Sequence, residues 1–101
     1  MEEFTEEALS VRIHDLLVES KITQAQFAQI VGVTRAAVNN WVRGKTVPIP
    51  VLGDRIELLL KLIDRALDAE DLPGSLADPS SIDRAERLPY IKRALAKHRG
   101  A

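Results

Sequence analysis

Residues 24–43 read Gln-Ala-Gln-Phe-Ala-Gln-Ile-Val-Gly-Val-Thr-Arg-Ala-Ala-Val-Asn-Asn-Trp-Val-Arg, and the spacing within this stretch decides the fold. Counting Gln24 as the first position, Ala28 is fifth, Gly32 ninth, Val38 fifteenth and Trp41 eighteenth. Two helices that cross at roughly 90–120° over a short turn need those residue types at those places. Ala28 sits where the helices approach closest, so a small side chain is required. Gly32 lies just past the first helix, where the chain must turn through positive φ and a Cβ is penalised. Phe27, Val31, Val33, Val38 and Trp41 are expected to point inward and fill the wedge between the helices.

The residues around the stretch agree. Thr23 and Thr34 each stand where an N-cap is wanted, one before each helix. Gln26 follows Thr23 by three positions, which is the reciprocal capping-box pattern. Gly44 is placed to stop the second helix, and Pro48 and Pro50 are expected to keep the chain extended beyond it. These features describe a helix-turn-helix motif at 24–43, whose second helix enters the DNA major groove while the first crosses the backbone.

The pattern Thr23-Gln24, Phe27-Ala28, Val31-Gly32-Val33-Thr34, Ala37-Val38, Trp41, Gly44-Lys45 and Pro48 resembles the DNA-binding domain shared by the phage lambda repressor and Cro proteins, the xenobiotic-response-element type of bacterial regulator. The resemblance is strict over residues 22–48 and extends loosely over about residues 6–70. It implies an all-α fold of four to five helices, with an additional C-terminal helical segment. The family's DNA contacts carry over by position to Gln24, Arg35, Ala36, Asn39, Asn40 and Arg43. Lys45 and Thr46 fall where such domains grip the backbone, and Thr34 begins the recognition helix beside them. Once Ala37, Val38 and Trp41 turn inward, the exposed positions left on that helix are Arg35, Ala36, Asn39, Asn40 and Arg43, the same list apart from Gln24.

Each residue type suits its contact. Arg35 can give two parallel bonds to guanine O6 and N7, Asn39 or Asn40 can pair with adenine or, being short, contact phosphate alone, and Ala36 can touch a thymine methyl. Gln24 and the N-terminus of its helix can bind a phosphate oxygen. Arg43, Lys45 and Thr46 are expected to supply affinity rather than sequence choice.

Composition narrows the alternatives. The chain has 101 residues, is 46% apolar, lacks cysteine and carries a formal charge of −1. It has no apolar run long enough to span a membrane and no basic-then-apolar leader, so no membrane partner and a cytoplasmic location are expected. The near-neutral sum hides an uneven distribution: residues 21–55 hold five bases and one acid, whereas residues 1–20 hold six acids and one base. DNA affinity follows the local field at the phosphates, so the motif is a basic island between acidic flanks. Trp41 has core spacing rather than that of a base-stacking platform. His14 and His98 are far apart and match no metal-ligand spacing; Ser75, Ser80 and Ser81 have no partnered base. No catalytic dyad or nucleotide fingerprint is present, so neither an enzyme nor a cofactor is expected.

Outside the motif, a first helix is expected from about Thr5 to Ser20, capped by Thr5, with Leu9, Ile13, Leu16 and Leu17 on one face. A fourth helix begins near Val51 and runs to about Glu70. Its seam is Leu52, Ile56, Leu59, Ile63 and Ala66, and Leu58, Leu60, Leu62 and Leu67 widen the apolar surface. So wide a surface asks for a further partner, the C-terminal segment or a second copy, and both are expected to contribute. The division expected is a DNA-binding domain at 1–72 and a linker with a helical oligomerisation segment at 73–101. In the latter, Asp78-Pro79 reads as a helix start, Ile82, Leu88, Ile91 and Leu95 as its apolar face, and Pro89 as a kink or a break into two short helices.

A homodimer on a pseudo-palindromic double-stranded operator follows, since one module makes too few contacts for tight specific binding. Its interface is expected at Ile56, Leu59, Leu62, Ile63, Ile91 and Leu95. The functional expectation is a phage-type repressor acting by operator occupancy. One alternative is an antitoxin whose basic C-terminal segment meets a protein partner. The other is an interaction adaptor that uses the fold without DNA, against which Arg35, Asn39, Asn40 and Arg43 argue.

Overall fold

The computed structural model describes residues 6–74 and 85–100, with the side chains of residues 6–8 set aside. Five helices follow one another: α1 (Glu6–Ser20), α2 (Gln24–Val31), α3 (Arg35–Val42), α4 (Pro50–Asp68) and α5 (Arg87–Arg99), with no strand among the described residues. The expected Thr5 cap, the Asp78-Pro79 helix start, Ile82 and the serines at 75, 80 and 81 lie outside the described residues.

α1 buries Ile13 and Leu17 and rests Leu9 and Leu16 against the same core. It ends at Lys21, whose φ of 60° puts a non-glycine residue in the left-handed region. That turn lets the Ile22 N–H reach back to the Leu17 carbonyl at 3.1 Å, satisfying an acceptor the helix would otherwise orphan. α2 and α3 are only eight residues each, too short to stand by propensity alone, and both are fastened at their ends. The Thr23 hydroxyl accepts from the Gln26 N–H at 3.0 Å while the Gln26 side chain accepts from the Thr23 N–H at 2.9 Å, completing the capping box. The Thr34 hydroxyl accepts from the Ala37 N–H at 3.1 Å. Gly32 (φ 93°) and Gly44 (φ 72°) then take the left-handed positions that end the two helices. Past Gly44, the Lys45 N–H returns to the Asn40 carbonyl at 2.9 Å.

Two proline expectations need correction. Pro50 does not extend the chain; it is the first residue of α4, where the missing N–H has no intrahelical acceptor to lose. Ile49 before it is extended, at φ −64° and ψ 156°, which the proline ring favours. Pro89 does not kink the last helix, because α5 starts only at Arg87 and the proline falls in its first turn. The N–H groups there are unpaired in any helix, so a proline is tolerated.

The core is one cluster. Ile13, Leu17, Ile22, Phe27, Ala28, Val31, Val38 and Trp41 from α1–α3 join Ile56, Leu59, Leu60, Leu62, Ile63 and Ala66 of α4. Leu72, Ile91, Ala94 and Leu95 complete it, so burial runs straight across the boundary expected after residue 72. The six side chains expected at a dimer interface are all inside this chain: Ile56, Leu62, Ile63 and Ile91 are 0% exposed, Leu59 and Leu95 4%. The reason is that α5 folds back onto α4 and closes the wide apolar surface from within the chain.

Arg87 fastens that closure. Its side chain is fully buried and donates to the carbonyls of Pro73 (2.6 Å), Ser20 (2.8 Å) and Lys21 (3.2 Å). Its guanidinium also lies 5.6 Å from the centroid of the Tyr90 ring. No carboxylate pairs with it among the described residues. The charge instead faces the carbonyl end of α1, where a helix dipole is negative, and burial pulls its pKa below the usual arginine value. Further along, the Tyr90 hydroxyl donates to the Asp71 carbonyl at 2.9 Å, and the Asp71 carboxylate meets His98 at 2.7 Å and Lys97 at 3.2 Å.

Candidate nucleic-acid interface

The buried residues of α3 are Val38 and Trp41, with Ala37 and Val42 packed against the core, and this roll of the helix decides what it shows to solvent. Thr34, Arg35 and Ala36 are exposed at its N-terminal end, and Asn39 and Asn40 are half-buried one turn later. Arg43, Lys45 and Thr46 are exposed where the chain leaves the helix. The Thr34 oxygen is committed to the Ala37 N–H, but its hydroxyl proton can still be donated outward.

One hydrogen bond ties the two helices together on this face. Asn39 Nδ2 donates to Gln24 Oε1 at 3.2 Å, joining the first turn of α2 to the middle of α3. Gln24, Arg35 and Asn39 thereby line one open groove with Thr23 and Ala25. The bond occupies the Gln24 oxygen and leaves its amide N–H groups as donors, the polarity a phosphate requires. Arg43, Lys45 and Thr46 lie outside this groove, past the C-terminal end of α3. Of the expected site residues, the groove brings together Gln24, Arg35 and Asn39, while Thr34, Ala36 and Asn40 do not line it.

Arg35, Arg43 and Lys45 form no ion pair among the described residues. Arg55, counted with the basic island, is differently engaged. Its Nη1 donates to the Val31 carbonyl at 2.9 Å and so caps the C-terminal end of α2.

Two features escape a reading of the sequence alone. Ala25 is exposed within the groove, and only its position beside Gln24 could have suggested it. The Gln24–Asn39 bond joins residues fifteen apart, and no periodicity points to it. His14 and His98 each bond a neighbouring aspartate, Asp15 and Asp71 respectively. No described helix is long and apolar enough to cross a membrane.

Residues 13–52 match the helix-turn-helix family model. Neither a search of curated proteins nor one of solved structures gave a match. This stretch is therefore similar to the helix-turn-helix domains of lambda repressor-like DNA-binding regulators. The match takes in every residue of the groove and of the segment past α3, and it ends in the first turn of α4.

Proposed function

We propose that the protein is a dimeric repressor of phage type that acts by occupying a pseudo-palindromic operator. The observation that carries this reading is the groove lined by Gln24, Arg35 and Asn39, with Arg43, Lys45 and Thr46 exposed past the C-terminal end of α3. Arg35, Ala36, Asn39 and Asn40 read base edges in the major groove. Gln24, Thr34, Arg43, Lys45 and Thr46 hold the phosphate backbone and set register and affinity. Two such units are required because one module buries too little surface for tight specific binding. Repression needs no more than occupancy.

Selection of bound DNA from a random pool tests the reading, and failure to enrich any sequence overturns it. On the selected site, Arg35→Ala is expected to cost about 1–3 kcal/mol and to relax preference at one base pair. Lys45→Ala is expected to weaken all sequences alike and to lower the salt slope by about one unit. If both variants reduce specific and nonspecific binding by the same factor, the division between base-reading and backbone-holding residues is wrong.

A second reading, an antitoxin that represses its own operon, draws support from the exposed bases of α5, Lys92, Arg93, Lys97 and Arg99. They suit an acidic protein partner. A toxin gene beside this one would favour it.

A further inference from the structure

The outer face of α4 carries a stripe that neither the core nor the DNA-binding surface uses. Asp54, Leu58, Lys61 and Arg65 recur at steps of four, three and four, which places them on one side of the helix. All four are exposed, on the side away from the buried Ile56, Leu59, Leu60 and Ile63. Leu58 is 46% exposed, and Val51, two turns before it, is 75% exposed. Val47 and Ile49, at 46% and 62%, bring the exposed large aliphatics of residues 47–58 to four; the other two, Val11 and Val18, sit apart on α1. Exposed apolar surface is therefore concentrated around α4.

The order of charge along the stripe selects the occupant. Read from N- to C-terminus it runs acid, leucine, base, base, and neither Asp54 nor Lys61 forms an ion pair among the described residues. In a two-fold interface, residue i of one copy meets j of the other while j meets i. If two α4 helices lie antiparallel about Leu58, Asp54 of each copy stands opposite Lys61 of the other, twice over. Val51 then falls against the aliphatic stem of the partner's Arg65. A parallel pairing sets Asp54 against Asp54 and Lys61 against Lys61, which repel. The pattern complements itself in one orientation.

We propose that this stripe is the homodimer contact, with two copies packing the outer faces of α4 antiparallel across a two-fold axis at Leu58. The proposal deepens the dimer reading given above and rests on it, replacing an interface of core residues with one of surface residues. It leaves the α2–α3 face of both copies free for DNA.

Sedimentation of the full chain without DNA, from micromolar to sub-millimolar concentration, tests it. The unmodified protein is expected to dimerise. Leu58→Asp and Asp54→Lys are each expected to weaken dimerisation at least about tenfold, through a buried charge and a like-charge contact respectively. All these positions are exposed, so circular dichroism melts are expected to stay unchanged. The paired exchange Asp54→Lys with Lys61→Asp restores the opposite charges and is expected to recover dimerisation to within about threefold. A wild-type chain monomeric throughout, a Leu58→Asp variant that dimerises as before, or a paired exchange that fails to recover overturns the contact. Because the readout contains no DNA, failure to select an operator sinks the regulator reading and not this interface.

Discussion

α2 and α3 each begin on a threonine whose side chain caps the helix, and each is followed by a glycine of positive φ. α4 and α5 begin on Ile49 and Glu86 with no side-chain cap, and α4 is followed by Glu70 at φ 63°. The difference follows from length and burial. Helices of eight residues cannot survive frayed ends, so their chemistry is concentrated at the termini. α4, with nineteen residues and six buried side chains, is held by what lies along it, and its ends can be imperfect. One half of the molecule is specified locally, and the other by residues distant in sequence.

Deleting everything after Leu72 breaks this contrast most severely. Ile91, Ala94, Leu95 and Arg87 leave the core together, and burial of each large aliphatic is worth about 1.5–3 kcal/mol. Domains of this size have about 5–15 kcal/mol in all, so the truncated chain is expected to lose cooperative unfolding at 25 °C rather than persist as a stable monomer. A circular dichroism melt within a few degrees of the full chain would show that α2 and α3 need nothing from α5.

Arg87→Ala is the next largest perturbation. It strips the carbonyls of Ser20, Lys21 and Pro73 of their donor and leaves a cavity, for an expected loss of about 3–5 kcal/mol in urea unfolding. A loss below about 1 kcal/mol would mean that water replaces the guanidinium at little cost.

This residue also marks the limit of what was legible. The capping box, Gly32, Gly44 and the wedge of Phe27, Val38 and Trp41 were readable because each requirement is met within a few positions. Arg87 reads as one more base in a basic segment, since two of its three carbonyl partners lie 66 and 67 residues earlier. The wide apolar surface of α4 was legible as needing a cover, but its pattern does not say which chain supplies it. Pro50 reads as extended chain because its ring permits that as well as the first helical position, and Pro89 reads as a kink only if the helix is taken to begin well before Arg87. Of the candidate site, the exposed residues of α3 were readable from its roll, while the Gln24–Asn39 bond was not.

Asp71 gives a smaller test on the non-local side. The hydrogen bond from His98, and then that from Lys97, hold its carboxyl below the ordinary value of 3.8. A depressed carboxylate contributes stability that is present above the unfolded-state value and lost as pH falls through the lower folded-state one. The chain is therefore expected to lose stability below about pH 4 more steeply than Asp71→Asn does. Identical acid transitions for the two proteins would remove Asp71 from the attachment of α5.

The mildest change works at the uncapped end. Glu70→Gly removes a Cβ from the left-handed region and is expected to raise stability by a few tenths to about 1 kcal/mol, the left-handed penalty being partly offset by glycine's extra freedom when unfolded. A decrease in melting temperature would mean that the Glu70 side chain contributes more than its backbone costs.

The lock formed by Arg87 also imposes an order on synthesis. A nascent chain that has emerged as far as Thr46 already displays every residue of the candidate DNA-binding face, yet lacks α4 and the guanidinium that holds the end of α1. Translation at about 5–20 residues per second separates Thr46 from Arg87 by several seconds, long beside the microseconds in which helices form. Throughout that interval the recognition helix has no finished core beneath it. The candidate DNA-binding face is therefore expected to gain its finished core late, once α5 has cleared the ribosome.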